Sequence, residues 1–241
     1  KRVLREEALA WEKDVDVSSD AVVAAAVGTL TVSSIGYDRD DSTRFLQQAL
    51  DSGASRVVLD RQDGPWVTGP LVGRSDQEIV FEEGAKVAAK RNAFQSPTDI
   101  LFTLSHVTNV TFRGNSTEIK MFKDDYAAAP YDFTRVGQRH TFSIHGCEDI
   151  TLEGLSIVQS GGAGGILRRI RIANCVVDGS RRRGIWIAGT VGTTIENSTI
   201  KGTKGNWPQT GVALLTDSAE TPRPSPRRLF AAVRRSRTSS G

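Results

Sequence analysis

The chain is poor in the residues that mark most kinds of chemistry. Its 241 residues include two cysteines, one methionine and three histidines. Cys147 and Cys175 are too few for a Cys-x-x-Cys metal site or a disulfide framework, and they read as small buried residues. No run of 18 apolar residues occurs, so no membrane-spanning helix is expected. "AVVAAAVG" (21–28) is too short and too poorly flanked to read as a leader. The body also lacks an excess of either charge. The net charge is +3, but residues 222–241 hold six Arg and no acid, leaving 25 basic against 28 acidic residues elsewhere. The basicity belongs to a tail, so neither nucleic acid nor a membrane is expected as a partner.

Glycine is abundant, at 23 residues against 7% aromatics, and apolar residues come in short alternating bursts. Five segments align: "EIVFEEGAKV" (78–87), "NVTFRGNSTEI" (109–119), "DITLEGLSIV" (149–158), "RIRIANCVVD" (169–178) and "TTIENSTI" (193–200). Anchored on Phe81, Phe112, Leu152, Ile172 and Ile195, they form a repeat with insertions at 88–99 and 120–139. A second series, "LFTLSH" (101–106), "TFSIHG" (141–146), "GIWIAG" (184–189) and "GVALLT" (211–216), alternates with the first. Period-two bursts of this length are strands. Two strands per repeat, with no helix between them, bury their apolar face only by stacking. The expected class is all-β: a right-handed parallel β-helix (solenoid) with a short N-terminal capping helix and an irregular C-terminal tail. Helical spacing appears in "DDSTRFLQQALDSG" (40–53), with Ser42 as N-cap, Phe45, Leu46, Ala49 and Leu50 on one face, and Gly53 as the stop. The expected organisation is an extension (1–34), the β-helix with its capping helix at 43–51 (35–218), and an Arg/Pro-rich tail (219–241).

The order "GYDRDDSTRFLQQALDSGASRVVLD", "GPWVTGPLVGRSDQEIVFEEGAKV" and then stacked "I-x-L-x-G" coils resembles the pectate-lyase-like right-handed parallel β-helix superfamily over roughly residues 30–218. The resemblance implies a polysaccharide partner, lyase or glycoside hydrolase activity, and an extracytoplasmic or secreted location. A non-catalytic glycan-binding or structural solenoid is the alternative. The chain departs from the family pattern at 160–172, where Ala163 stands at an expected Asp and the first strand is shortened.

Strand parity places candidate site residues on the outside. Phe142 and Ile144 point inward, while Ser143 and His145 point out. Trp186 is an outward aromatic suited to stacking on a sugar face. The long insertion "MFKDDYAAAPYDFTRVGQRH" (121–140) offers Asp124, Asp125, Tyr131, Arg139 and His140. Asp124 or Asp125 could serve as one of the two carboxylates of a hydrolase. Alternatively, Arg139 could neutralise a uronate while His140, His145 or Tyr131 takes a proton. Arg182, in "DGSRRRG" (178–184), is placed to meet an acidic glycan. Asp124 and Asp125 could hold Ca²⁺ through oxygen, but their spacing is no metal signature and no cofactor is expected. Asn115, Asn174 and Asn197 fall at turns, where they suit backbone roles.

Overall fold

The computed structural model describes residues 28–96, 98–131, 139–162, 170–188, 192–205 and 209–215. The expectations for the shortened strand around Ala163, for the tail and for residues 1–27 lie outside these residues. In chain order the elements are β1 (Thr29–Thr31), α1 (Thr43–Asp51), β2 (Arg56–Leu59), β3 (Trp66–Thr68), β4 (Leu71–Val72), β5 (Gln77–Phe81), β6 (Val87–Ala89), β7 (Phe102–Ser105), β8 (Thr108–Lys120), β9 (Phe142–His145), β10 (Glu148–Val158), β11 (Ile170–Ala173), β12 (Val176–Asp178), β13 (Arg183–Ala188), β14 (Thr194–Glu196), β15 (Thr199–Lys201) and β16 (Thr210–Leu215). The protein is thus mostly β, with one α-helix among the described residues.

The strands pair in parallel, each with the equivalent strand of the next repeat. The longest sheet runs β1-β2-β5-β8-β10-β11-β14, and β3, β6, β12 and β15 join it beside that path. Two short sheets, β4-β7-β9 and β13-β16, carry the second series. Phe112, Leu152, Ile172 and Ile195 stand in one register row, as the repeat predicts. The first anchor does not: Phe112 pairs with Ile79, two residues before Phe81. A two-residue slip keeps every side chain on its face, so Phe81 is still buried and the apolar pattern alone cannot detect it.

The inward rows close into one core. Phe112 packs its ring edge-on against Phe102 and Phe142 at centroid distances of 5.3 and 5.2 Å, and Phe102 stacks on Phe142 at 5.1 Å. Gly154 permits the closest backbone approach. It adopts φ +66°, and a Cβ there would fall 2.0 Å from Gly114 O, where β8 bulges against β10. The turns after β11 and β14 use Asn174 and Asn197 in the left-handed region, which Asn tolerates. In the β8 bulge that conformation falls to Ser116 rather than Asn115.

Helix α1 buries Leu46, Ala49 and Leu50. Ser42 occupies the N-cap position, but its hydroxyl bonds back to the Asp38 backbone, and the Asp41 carboxylate accepts from Thr43 N–H instead. The helix also satisfies a sheet edge. Gln47 Nε2 donates to Val72 O at 3.0 Å and its Oε1 accepts from Val72 N at 2.9 Å, so β4 does not present bare backbone groups there.

Candidate functional site

Alternation along β7 and β9 aims one set of side chains inward and the other out. Phe102, Leu104, Phe142 and Ile144 are buried, while Thr103 and Ser143 are half-buried and Ser105 and His145 are exposed. Register pairs Thr103 with Ser143 and Ser105 with His145, so hydroxyls and an imidazole form an outward ladder with rungs about 4.8 Å apart. One residue that strand parity misses joins them. His106 would point inward by alternation, but its φ of +55° turns it out. Its ring packs edge-on against His145 at 5.4 Å, and its Nδ1 lies 2.9 Å from Ser105 Oγ. The signal for it was the alignment of His106 with Gly146. Gly146 also has positive φ, and a Cβ on it would sit 2.8 Å from the His106 ring.

At the opposite, leading edge of the short sheets lies a basic cluster. His140 immediately precedes β9, and its backbone carbonyl accepts from Leu101 N–H. Burial, with the positive charges of Arg182 and Arg183, pushes the His140 pKa down to about 4, so the ring is neutral at neutral pH. Arg183 lies over the Trp186 ring with its guanidinium carbon 4.7 Å from the centroid, and it pairs in register with Thr210. Burial and the neighbouring Arg182 also lower the Arg183 pKa. Several buried polar atoms here have no hydrogen-bond partner among the described residues: His140 Nδ1, Arg182 Nε, Arg183 Nε, Trp186 Nε1 and Thr210 Oγ1. Trp186 is half-buried between inward-facing Ile185 and Ile187, on the outer side as parity predicts.

The 121–131 loop takes its residues elsewhere. Asp125 forms an ion pair with Arg91, and Asp124 lies 3.5 Å from Arg181, whose Nε and Nη2 also donate to Lys123 O. Tyr131 is buried, its hydroxyl accepting from Asn92 N–H at 2.8 Å. Arg139 is fully buried and donates through Nε to Phe94 O at 2.6 Å and through Nη2 to Gln95 O at 2.5 Å, with its guanidinium against the rings of Tyr126 and Tyr131, which pack edge-on against each other. Burial pushes the Tyr126 pKa up to about 12. Arg139 and Tyr131 therefore tie the 90–101 and 121–131 loops together. The structure sets Arg182 and Arg183 beside His140 at the leading edge, lays Arg183 over the Trp186 ring, and leaves Ser143 and His145 along the strand. Asp124 and Asp125 face arginines of neighbouring turns, and among the described residues no three His, Cys, Asp or Glu side chains converge as metal ligands. Among those residues no helix is long and apolar enough to cross a membrane.

No protein-family model and no curated protein matches the chain. Solved structures do. A candidate glycosyl hydrolase from Parabacteroides merdae superposes with a TM-score of 0.59 at 17% identity, over 80% of this chain and 99% of that one. A family 28 exopolygalacturonase from Yersinia enterocolitica gives a TM-score of 0.57 at 14% identity, over 78% of this chain and 48% of that one. This chain spans about half the length of the exopolygalacturonase. At these identities the likeness is one of fold.

Proposed function

We propose that the chain is a carbohydrate-active right-handed β-helix that holds an extended, acidic polysaccharide along the outward face of its short sheets, in an extracytoplasmic setting. The observation that carries this reading is the ladder of Thr103, Ser143, Ser105, His106 and His145 over a continuous aromatic and aliphatic core. Such a face offers hydrogen bonds at a regular spacing along a rigid wall. Trp186 adds an aromatic surface for a sugar ring. Shared fold with a candidate glycosyl hydrolase and an exopolygalacturonase supports the substrate class, although fold alone does not assign an activity.

Of the two reactions the residues permit, β-elimination fits better than hydrolysis. Hydrolysis uses two carboxylates flanking the scissile bond, and the described outward residues of β4, β7, β9 and β13 are Val72, Thr103, Ser105, Ser143, His145 and Trp186. Elimination needs a base for the C5 proton and a cation for the uronate carboxylate. His140, beside Arg182 at the leading edge, takes the proton, a C4–C5 double bond forms, and the C4–O bond breaks with its electron pair leaving on the glycosidic oxygen, which is protonated from water. Arg182 stabilises the carboxylate while negative charge develops on it. The tying of Asp124, Asp125 and Arg139 into the loops favours, as a second reading, a module that binds glycan without cleaving it.

The test is incubation with a panel of acidic and neutral polysaccharides, following absorbance at 235 nm and reducing ends. Unsaturated product lost in both His140→Ala and His145→Ala supports the elimination. Reducing ends without 235 nm absorbance assign hydrolysis, and retention on immobilised glycan without product assigns the binding module. Neither retention nor product with any polysaccharide would remove the proposal.

A further inference from the structure

We infer that the leading edge of β9, β13 and β16 is an oxyanion subsite, in which Arg182 and Arg183 grip a carboxylate or sulfate carried by a sugar lying against Trp186. The inference rests on the polysaccharide reading above and adds which part of the sugar is read, and where.

The argument is one of exclusion. Four arginines among the described residues are not exposed: Arg139, Arg181, Arg182 and Arg183. Two of them anchor their guanidinium on groups of the protein. Arg139 donates to Phe94 O and Gln95 O, and Arg181 donates to Lys123 O and faces Asp124. Arg182 and Arg183 do neither. Among the described residues their guanidinium groups have no ion pair and no hydrogen bond, and their like charges lie close enough to oppose each other. Half-burying a cation without a partner carries part of the cost of desolvation, and setting two such cations side by side adds their repulsion. The surrounding groups do not offset this charge. His140 is neutral, Trp186 presents an indole N–H and only its ring face to Arg183, and Thr210 presents an unpartnered hydroxyl. The inventory is therefore a set of unused donors with excess positive charge and no acid. A planar oxyanion is complementary to that set, since guanidinium binds carboxylate and sulfate through paired N–H groups. The indole beside it suits the apolar face of the sugar that carries the anion.

Two sources supply this chemistry, a uronic acid and a sulfate ester, and equilibrium binding separates them. Intrinsic tryptophan fluorescence and calorimetry would follow titration with an oligogalacturonate, a sulfated oligosaccharide and an uncharged oligosaccharide. The expected result is salt-sensitive binding of one or both anionic ligands at least about tenfold tighter than the uncharged one. The anion bound more tightly names the source. Arg182→Gln/Arg183→Gln should abolish that preference, while Arg61→Gln, at an exposed arginine, leaves it within about twofold. Thermal unfolding in a few millimolar sulfate, compared with chloride at the same ionic strength, guards against a folding defect in the double variant: sulfate should raise the midpoint of the wild type and of Arg61→Gln above the chloride value, but not that of the double variant. Equal affinity for charged and uncharged oligosaccharides, or an unchanged preference in the double variant, overturns the subsite. Cleavage of a polysaccharide by a double variant with wild-type anion preference would leave the functional reading standing and remove this inference alone. A sulfate-stabilised protein that retains no polysaccharide would do the reverse.

Discussion

Two regions of this molecule carry rows of arginine, and they treat the charge in opposite ways. On the outer face of the long sheet, Arg56, Glu78, Arg113, Glu153, Arg171 and Glu196 alternate across successive strands. The contacts run 2.8 Å from Arg56 to Glu78, 3.0 Å from Glu78 to Arg113, 2.7 Å from Arg113 to Glu153, 3.7 Å from Glu153 to Arg171 and 2.6 Å from Arg171 to Glu196. These arginines are well exposed, where water alone would solvate them, and still each has a carboxylate. At the leading edge of the short sheets Arg182 and Arg183 are less exposed and have none. The sequence thus pairs charges where pairing gains little and omits pairing where omission costs most. A requirement of folding would produce the reverse distribution. The comparison therefore sets the arginines that are paired within the fold apart from the two proposed above to hold an anion.

Arg139 breaks or sharpens that division most strongly. It is as cationic as Arg182 and more buried, but its Nε and Nη2 end on carbonyls of Phe94 and Gln95 and its guanidinium packs against two tyrosines. It should behave as a structural residue. Arg139→Ala is expected to destabilise the protein by about 3–5 kcal/mol, from two lost charged hydrogen bonds and the cavity left between the rings. Arg139→Lys should recover little, because an ammonium cannot reproduce the planar fork. Urea unfolding of both variants checks this. A wild-type midpoint with lost glycan binding would instead move Arg139 into the same class as Arg182.

The fold was largely legible in the sequence, and the site only partly so, for identifiable reasons. Parity placed Phe142 and Ile144 inside with Ser143 and His145 out, because polar and apolar residues alternate strictly there. The same parity misplaced the Phe81 anchor by two residues, since Ile79 and Phe81 are both apolar and a slip of two changes no face. His106 stayed hidden because a single positive φ reverses its direction, which alternation does not encode. Asp124 and Asp125 read as loop acids free for catalysis because their partners, Arg181 and Arg91, lie far along the chain and meet them only when repeats stack. Arg139 read as a surface charge because a buried guanidinium is rare, and nothing local announces the carbonyls that receive it.

His140 tests the comparison through pH. Its folded pKa of about 4 lies below the ordinary value of 6.5 because burial and then the Arg182 and Arg183 charges disfavour the imidazolium. A histidine held neutral contributes stability that is complete above about pH 6.5 and is lost as pH falls through about 4, since the unfolded chain takes up the proton first. The expected loss between those limits is about 3 kcal/mol. His140→Gln should remove this part of the pH dependence. Urea midpoints from pH 7 to pH 4 for both proteins provide the measurement. Identical slopes would mean that His140 does not sit buried beside two uncompensated cations.

The smallest expected effect draws the division most finely. Glu153 stands between Arg113 and Arg171 in the ladder, with about a fifth of its side chain exposed. Glu153→Gln should cost about 0.5–1 kcal/mol at low salt, the worth of a well-formed surface pair, and the cost should shrink in 1 M salt, where the screening length is about 3 Å. Replacing Arg182 and Arg183 together by Gln should have the opposite sign in the absence of ligand. It relieves a repulsion rather than removing an attraction, so the variant gains stability at low salt and the gain fades as salt rises. Unfolding both variants in low and high salt compares the two signs directly. If removing the leading-edge arginines destabilised the chain as Glu153→Gln does, those arginines would be partners in the fold, and the distinction between the two faces would disappear.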